Sequence, residues 1–169
     1  RPSMQKAARK QLLNTLTSPL RMAAALKGGQ ILAALTGQKT QAMPSILSEL
    51  LTGQSDLPVT LPAPPEKVQI GHLPLISPAI GKKKRTVGIL PGCVMRVMFH
   101  QTNLATIRVL QENGCEVIAA PNLGCCGALH LHSGYHEEAL ERARQFLDIV
   151  SNLEIDAFVV NSAGCGSTL

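Results

Sequence analysis

Apolar and polar positions follow two different rhythms along this chain. In the second half, short apolar runs alternate with longer stretches of helical period. Thr86 to Leu90, Glu116 to Ala120 and Ala157 to Val160 are short and apolar, which predicts three buried strands. Between the first two, Phe99 to Asn113 places Leu104, Ile107 and Leu110 on one helical face, and Gly114 supplies the stop. Between the last two, Tyr135 to Val150 predicts a helix capped by Ser133 that buries Leu140, Ala143, Leu147 and Val150. Glu137, Glu138 and Glu141 come early in it and Arg142 and Arg144 later, the order a helix dipole favours.

Strands separated by helices imply right-handed crossovers and a parallel sheet. The expected fold is α/β, a parallel sheet of three or more strands with flanking helices, preceded by a helical segment and a proline-rich linker. Such a sheet delivers the carboxyl end of every strand to one edge, where open α/β folds bind ligands.

The first half has a weaker pattern. Gln5 to Leu16 reads as a modest amphipathic helix through Ala7, Leu12, Leu13 and Leu16. Ser18-Pro19 then reads as an N-cap and a first helical residue, opening a helix that ends at Gly28-Gly29. Shorter helical turns are expected at Gln30 to Leu35 and Ser45 to Leu51. From Ser55 to Gly81 the prolines Pro58, Pro62, Pro64, Pro65, Pro74 and Pro78 break any regular pattern, so this stretch reads as an extended linker. The resulting division is a helical connector over 1–54, a linker over 55–85 and an α/β domain from 86 to 169. The chain starts at Arg1 and stops at Leu169 directly after a cysteine motif, so a piece of a longer protein is expected. The short helices are then expected to expose apolar surface that packs on a domain outside this chain.

Composition sharpens the division. Aromatic residues are 2% of the chain and Trp is absent, so the core must be aliphatic. No apolar run reaches the roughly 18 residues a membrane helix needs. The net charge of +5 splits unevenly, with 12 basic and 3 acidic residues up to Arg85 and 4 basic and 8 acidic residues after it. Lys82-Lys83-Lys84-Arg85 could suggest nucleic acid, but no basic or aromatic residues interleave beyond it, so a solvated cluster is the expectation. A membrane-surface helix is a competing use of the basic first half, weakened by Pro and Gly interruptions.

The chemistry lies in the cysteines. There are five, Cys93, Cys115, Cys125, Cys126 and Cys165, an odd number confined to the second half and unlike a secreted disulfide framework. Gly124-Cys125-Cys126-Gly127 presents two thiols in a turn whose flanking glycines remove bulk and permit positive φ. Buried apolar thiols are the plain alternative. However, Cys93 follows the first strand, Cys125 and Cys126 the second, and Cys165 the third. A parallel sheet would gather these four sulfurs at one edge as a soft-metal or redox site. Cys115 starts the second strand at the opposite end and reads as an inert core residue. Of His130, His132 and His136, at most one should point inward, and His132 is the favoured neighbour of the site. No catalytic residue, flavin or hydroxy-acid site, or dinucleotide fingerprint is visible. A thiol–disulfide module and a structural zinc domain both remain compatible with the thiols. The lack of any close Cys-x-x-Cys pair disfavours zinc.

These motifs resemble the cysteine-rich CCG domain family of heterodisulfide reductase subunits and of iron–sulfur subunits of flavin-linked dehydrogenases. Cys93, Cys125-Cys126-Gly127 and Cys165 match its pattern. Cys125 to Gly134 and Asn161 to Ser167 are most similar to the glycolate oxidase type of iron–sulfur subunit. The family's last cysteine would fall at position 168, where this chain has Thr168. The resemblance implies that Cys93, Cys125, Cys126 and Cys165 ligate an iron–sulfur cluster, of 4Fe-4S kind. It further implies a partner subunit carrying FAD, with electrons passing toward quinone. A ferredoxin-like domain and a second cysteine-rich domain would belong to the same protein. It implies a cytoplasmic location with peripheral association at the inner face of the membrane, and no nucleic-acid partner.

Overall fold

The computed structural model of the protein describes residues 2–36, 67–120 and 122–169. It divides into two compact units, Arg1–Gln69 and Ile70–Leu169. The helical turn expected at Ser45 to Leu51 and the prolines Pro58, Pro62, Pro64 and Pro65 lie outside the described residues.

In the first unit, α1 (Pro2–Leu16) and α2 (Pro19–Thr36) are joined by Thr17 and Ser18. The Ser18 hydroxyl accepts the Arg21 amide at 3.5 Å, a long N-cap bond in the expected place. The helix does not stop at Gly28-Gly29 but runs on to Thr36. A glycine inside a helix costs only ~1 kcal/mol relative to alanine. The alanine- and leucine-rich turns on both sides outweigh that. Leu13, Met22 and Ala23 are buried, while Leu20, Ile31 and Leu35 are exposed.

The second unit is an α/β sandwich. Its sheet has the order β1-β3-β2-β4, from β1 (Ile76–Ser77), β2 (Arg85–Leu90), β3 (Cys115–Ile118) and β4 (Ala157–Val160). β2 pairs in parallel with both β3 and β4, as strand–helix alternation requires. Alternating residues of β2 face opposite layers. Val87 and Ile89 pack with Val117 and with Ile107 of α4 (His100–Glu112). Leu90 packs with Phe146 of α6 (His136–Val150). Three short helices complete the unit: α3 (Met95–Met98), α5 (Ala128–His132) and α7 (Ala163–Gly166).

The face that α6 buries differs from the one expected. Ala139 and Phe146 are buried, whereas Leu140 and Leu147 are half exposed at 55% and 50%. The selection comes from the sheet. Phe158 lies opposite Gly88, where an added Cβ would come within 2.6 Å of the ring, and Phe146 meets that ring edge-on at a centroid distance of 5.3 Å. Ser133 is not the cap of α6. Its amide bonds to the His130 carbonyl and closes α5, and α6 starts after Tyr135 with no side-chain cap.

The stretch read as an extended linker contributes the edge strand β1, antiparallel to β3 between Pro74 and Pro78. Proline is tolerated there because only one edge of the strand must donate to the ladder. From Leu75 to Lys84 the segment is fastened to the sheet and to the helix beside it. The Ala119 amide donates to Leu75 at 3.0 Å, the Ile80 amide to Gln111 at 2.9 Å and the Lys84 amide to Gly114 at 2.8 Å. Each such bond contributes about 1 kcal/mol net. A chain starting at Ile70 should therefore be more stable to urea than one starting at Thr86, by ~2 kcal/mol or more. Equal unfolding midpoints would show that β1 contributes nothing.

Candidate metal or redox centre

Each cysteine loop is shaped by the strand it leaves. β2 ends in Pro91-Gly92, and Gly92 has φ +69°, turning the chain so that Cys93 follows at once. After β3 the chain runs through Asn122 to Cys125 and Cys126, both buried. Gly127 then takes φ +90°, and a Cβ there would stand 2.7 Å from the Ala139 carbonyl oxygen. Only glycine can close the turn against α6 in this way. Gly124 carries no such constraint, since an added Cβ would meet nothing within 4 Å. After β4, Cys165 sits inside the short helix α7 rather than in the loop before it.

The four thiols line one cavity of about 130 Å³, together with Ser162 and His132. Cys93 and Cys125 are in direct contact, their sulfurs 3.7 Å apart. With all four protonated the Cys93 thiol donates to Cys125, whereas with Cys93 as the thiolate the series reverses and runs from Cys165 to Cys126, Cys126 to Cys125 and Cys125 to Cys93. Cys93, as terminal acceptor, is stabilised as thiolate by the Cys125 thiol, and its pKa is lowered despite burial. Cys125 accepts from Cys126, but its own donation to Cys93 and its burial prevail and push it up to about 11. Donation to Cys125, then burial, raises Cys126, and donation to Cys126, then burial, raises Cys165.

Each sulfur also receives a hydrogen bond from the chain. Donors are the amides of Val94 to Cys93, Gly127 to Cys125 and Ala128 to Cys126, with the Ser162 hydroxyl on Cys165. No carboxylate of the described residues lines the cavity. Among the described residues, no group of three or more His, Cys, Asp or Glu side chains is arranged to hold a single metal ion.

The remaining candidates are distributed as follows. Cys115 opens β3 opposite Arg85, at the other end of the strands, and packs on the Val87–Ile89 side of the sheet. His132 borders the thiol cavity but is otherwise exposed, His136 is exposed, and His130 is the buried histidine at 2% exposure. Thr168 turns its hydroxyl to the Gly164 carbonyl at 2.9 Å, so it tightens the last turn around Cys165.

Sequence reasoning missed Asn103. It lies on α4, fully buried, where its amide donates to the Pro91 carbonyl at 2.8 Å and accepts from Asn161 at 2.9 Å. Asn161 in turn accepts from Thr106 at 3.1 Å. This network ties the loop bearing Cys93 to the loop bearing Cys165. The only sequence signal was Asn161 beside the last cysteine motif, because an asparagine within a helix ordinarily reads as surface.

A family profile for the cysteine-rich domain, CCG, matches residues 87–169. Residues 87–169 belong to the CCG family. Across 109 residues, the chain is 40% identical to the probable glycolate oxidase iron–sulfur subunit of Bacillus subtilis, covering 64% of this chain and 24% of that protein. It is 36% identical over 89 residues to the glycolate oxidase iron–sulfur subunit of Escherichia coli, covering 51% and 22%. A CoM/CoB fumarate reductase subunit of Methanothermobacter marburgensis is 31% identical over 86 residues, covering 49% and 17%. The chain thus spans about a quarter or less of the length of these relatives. No solved structure matches it. Within the CCG domain, the match takes in the three cysteine loops and Asn103 alike.

Two outcomes are expected from this geometry. Asn103→Ala leaves the buried Pro91 carbonyl unpaired and frees the Asn161 amide nitrogen, so denaturant unfolding should show a loss of about 1–3 kcal/mol. An unchanged midpoint would remove the network from the site's support. In the reduced, metal-free chain, Cys93 has the lowered pKa and should be alkylated at a lower pH than Cys126 or Cys165 as pH is raised. Peptide mass spectrometry reads the order, and Cys165 reacting first would overturn the assigned direction of the thiol series.

Proposed function

We propose that this chain is part of an iron–sulfur electron-transfer subunit in a flavin-dependent 2-hydroxy-acid dehydrogenase of glycolate oxidase type. The observation that carries this reading is the meeting of four thiols, from three strand ends, in one cavity that no carboxylate of the described residues lines. Cys93, Cys125, Cys126 and Cys165 would hold the cluster, of 4Fe-4S kind, with His132 at its margin. The donor set suits the group, because thiolates are the usual protein ligands of iron–sulfur clusters. Thiols delivered by three separate loops, with no close Cys-x-x-Cys pair, favour a cluster over a structural zinc ion. The backbone amides and the Ser162 hydroxyl aimed at the sulfurs would stabilise their negative charge. When bound, such a cluster supplies one-electron transfer.

The names of the relatives support the partner chemistry. Substrate oxidation would take place on a separate FAD-bearing subunit, and electrons would leave toward quinone. A ferredoxin-like domain and a second cysteine-rich domain would accompany this segment, with the exposed Leu20, Ile31 and Leu35 of α2 available for packing. The connector, linker and cysteine domain would divide near residues 54 and 85. Among the described residues, no helix is long and apolar enough to cross a membrane. We place the protein in the cytoplasm, where five free thiols stay reduced, with peripheral contact at the membrane face. A thiol–disulfide role is the second reading, favoured by the 3.7 Å contact between Cys93 and Cys125.

Serine variants test the electron-relay role in the full complex. Cys125→Ser or Cys126→Ser keeps the volume but replaces a soft ligand with a poor one for iron. Either should cut electron flow from hydroxy acid to quinone while substrate still reduces the flavin. Cys115→Ser should leave both steps near wild type at matched protein amount, with a stability cost of about 1–3 kcal/mol. Loss of flavin reduction in the Cys125 variant would assign that residue to substrate chemistry or assembly. If neither step changes, the vicinal pair is structural.

A further inference from the structure

A separate cleft of about 360 Å³ opens beside the same sheet edge and shares no lining residue with the thiol cavity. Its polar residues are Arg96, His72 and Asn122, and among the described residues no carboxylate lines it. The rest of the wall is aliphatic, including Leu73, Leu75 and Ala120. The volume is at the lower end of small-molecule pockets, about 300–1,000 Å³.

Arg96 is held in place by its backbone and by one side-chain nitrogen. Its carbonyl accepts the Gly71 amide at 2.8 Å, and its Nε donates to the Gly71 carbonyl at 3.4 Å. Neither ion pair of the described residues uses it, since these join Lys83 to Glu116 and Arg85 to Asp156. The terminal guanidinium nitrogens are therefore the part that a carboxylate fork can engage. His100 lies under the same strand of chain, its ring filling the space that a Gly71 side chain would take. Its Nδ1 is buried without a hydrogen-bond partner. Burial first, then the charges of His72 and Arg96, lower its pKa. Three cationic or potentially cationic groups thus crowd one corner of a domain half that is otherwise acidic, with no carboxylate among the described residues that line the cleft.

We propose that this cleft binds a short organic carboxylate. The guanidinium of Arg96 would grip the carboxylate, with His72 and Asn122 as further polar contacts, and the aliphatic wall would receive the carbon chain. The wall distinguishes this ligand from inorganic phosphate, which presents oxygen on every side. Pro91 and Asn122 belong to the stems of the loops carrying Cys93 and Cys125, so the bound anion would rest directly behind the thiols. The inference does not depend on the thiols holding iron.

The test is a titration of the full chain, isotope-labelled, reduced and free of iron. Butyrate and inorganic phosphate are added separately at constant ionic strength, and backbone amide shifts are followed. Saturable shifts at Gly71, Arg96 and Asn122 are expected with butyrate, at lower concentrations than with phosphate. Arg96→Met should weaken butyrate binding about tenfold or more, and Arg96→Lys by less, because lysine keeps the charge but loses the fork. No saturable shift, equal or tighter binding of phosphate, or wild-type affinity in Arg96→Met would each overturn the proposal. If Arg96→Met fails to fold, the exposed His72→Gln variant decides. Weaker butyrate binding supports the site, and unchanged binding overturns it.

Discussion

Two parallel ladders, β2 with β3 and β2 with β4, bring thiols from Cys93 to Cys165 into one cavity. Parallel pairing is what sends all three strands out at the same edge. An antiparallel partner for β2 would have carried one cysteine loop to the far side. The register matters as much as the direction. Gly88 opposite Phe158 allows the ring to lie across β2, and that ring selects the face of α6 packing behind Cys126. The vicinal pair is therefore set from two sides, by the strand before it and by the helix after it, with Gly127 as the point of contact.

Much of this was legible because strand ends and cysteines coincide in the sequence. The three core strands and the two long helices follow from short apolar runs and helical spacing, and Cys115 separates from the other thiols by its place at a strand start. The misreadings share a physical cause, in that local signals compete with tertiary context. Gly28-Gly29 looks like a stop but costs less than the surrounding helix formers supply. Leu140 and Leu147 make as good a stripe as Ala139 and Phe146, and only the aromatic partner across the sheet decides between them. Pro74 and Pro78 suggested the absence of structure, yet a two-residue edge strand needs no donor from either. Asn103 was invisible because its partners, Pro91 and Asn161, are distant in the chain.

Polar groups around the site divide into two kinds. Those facing the thiols are donors of small reach, three backbone amides and a hydroxyl, fixed by the turns themselves. Those in the neighbouring cleft are long or ionisable side chains, led by Arg96. The first set favours charge on sulfur, and the second favours charge on something brought from outside. Both rest on the Pro91 and Asn122 ends of the strands, so one sheet edge serves two separate electrostatic environments.

The bridge through Asn103 bears on how the domain breathes. Loops beyond a sheet are ordinarily the first parts of a fold to open. Here the loops before Cys93 and Cys165 are clamped to one buried amide on α4. Neither can lift away without giving up a hydrogen bond to that amide, which is itself fixed on the helix that packs on Val87, Ile89 and Val117. Opening of either loop therefore carries a cost that a loop without such a bond would not have. The most chemically reactive corner of the domain is thus moored to its core through a single side chain.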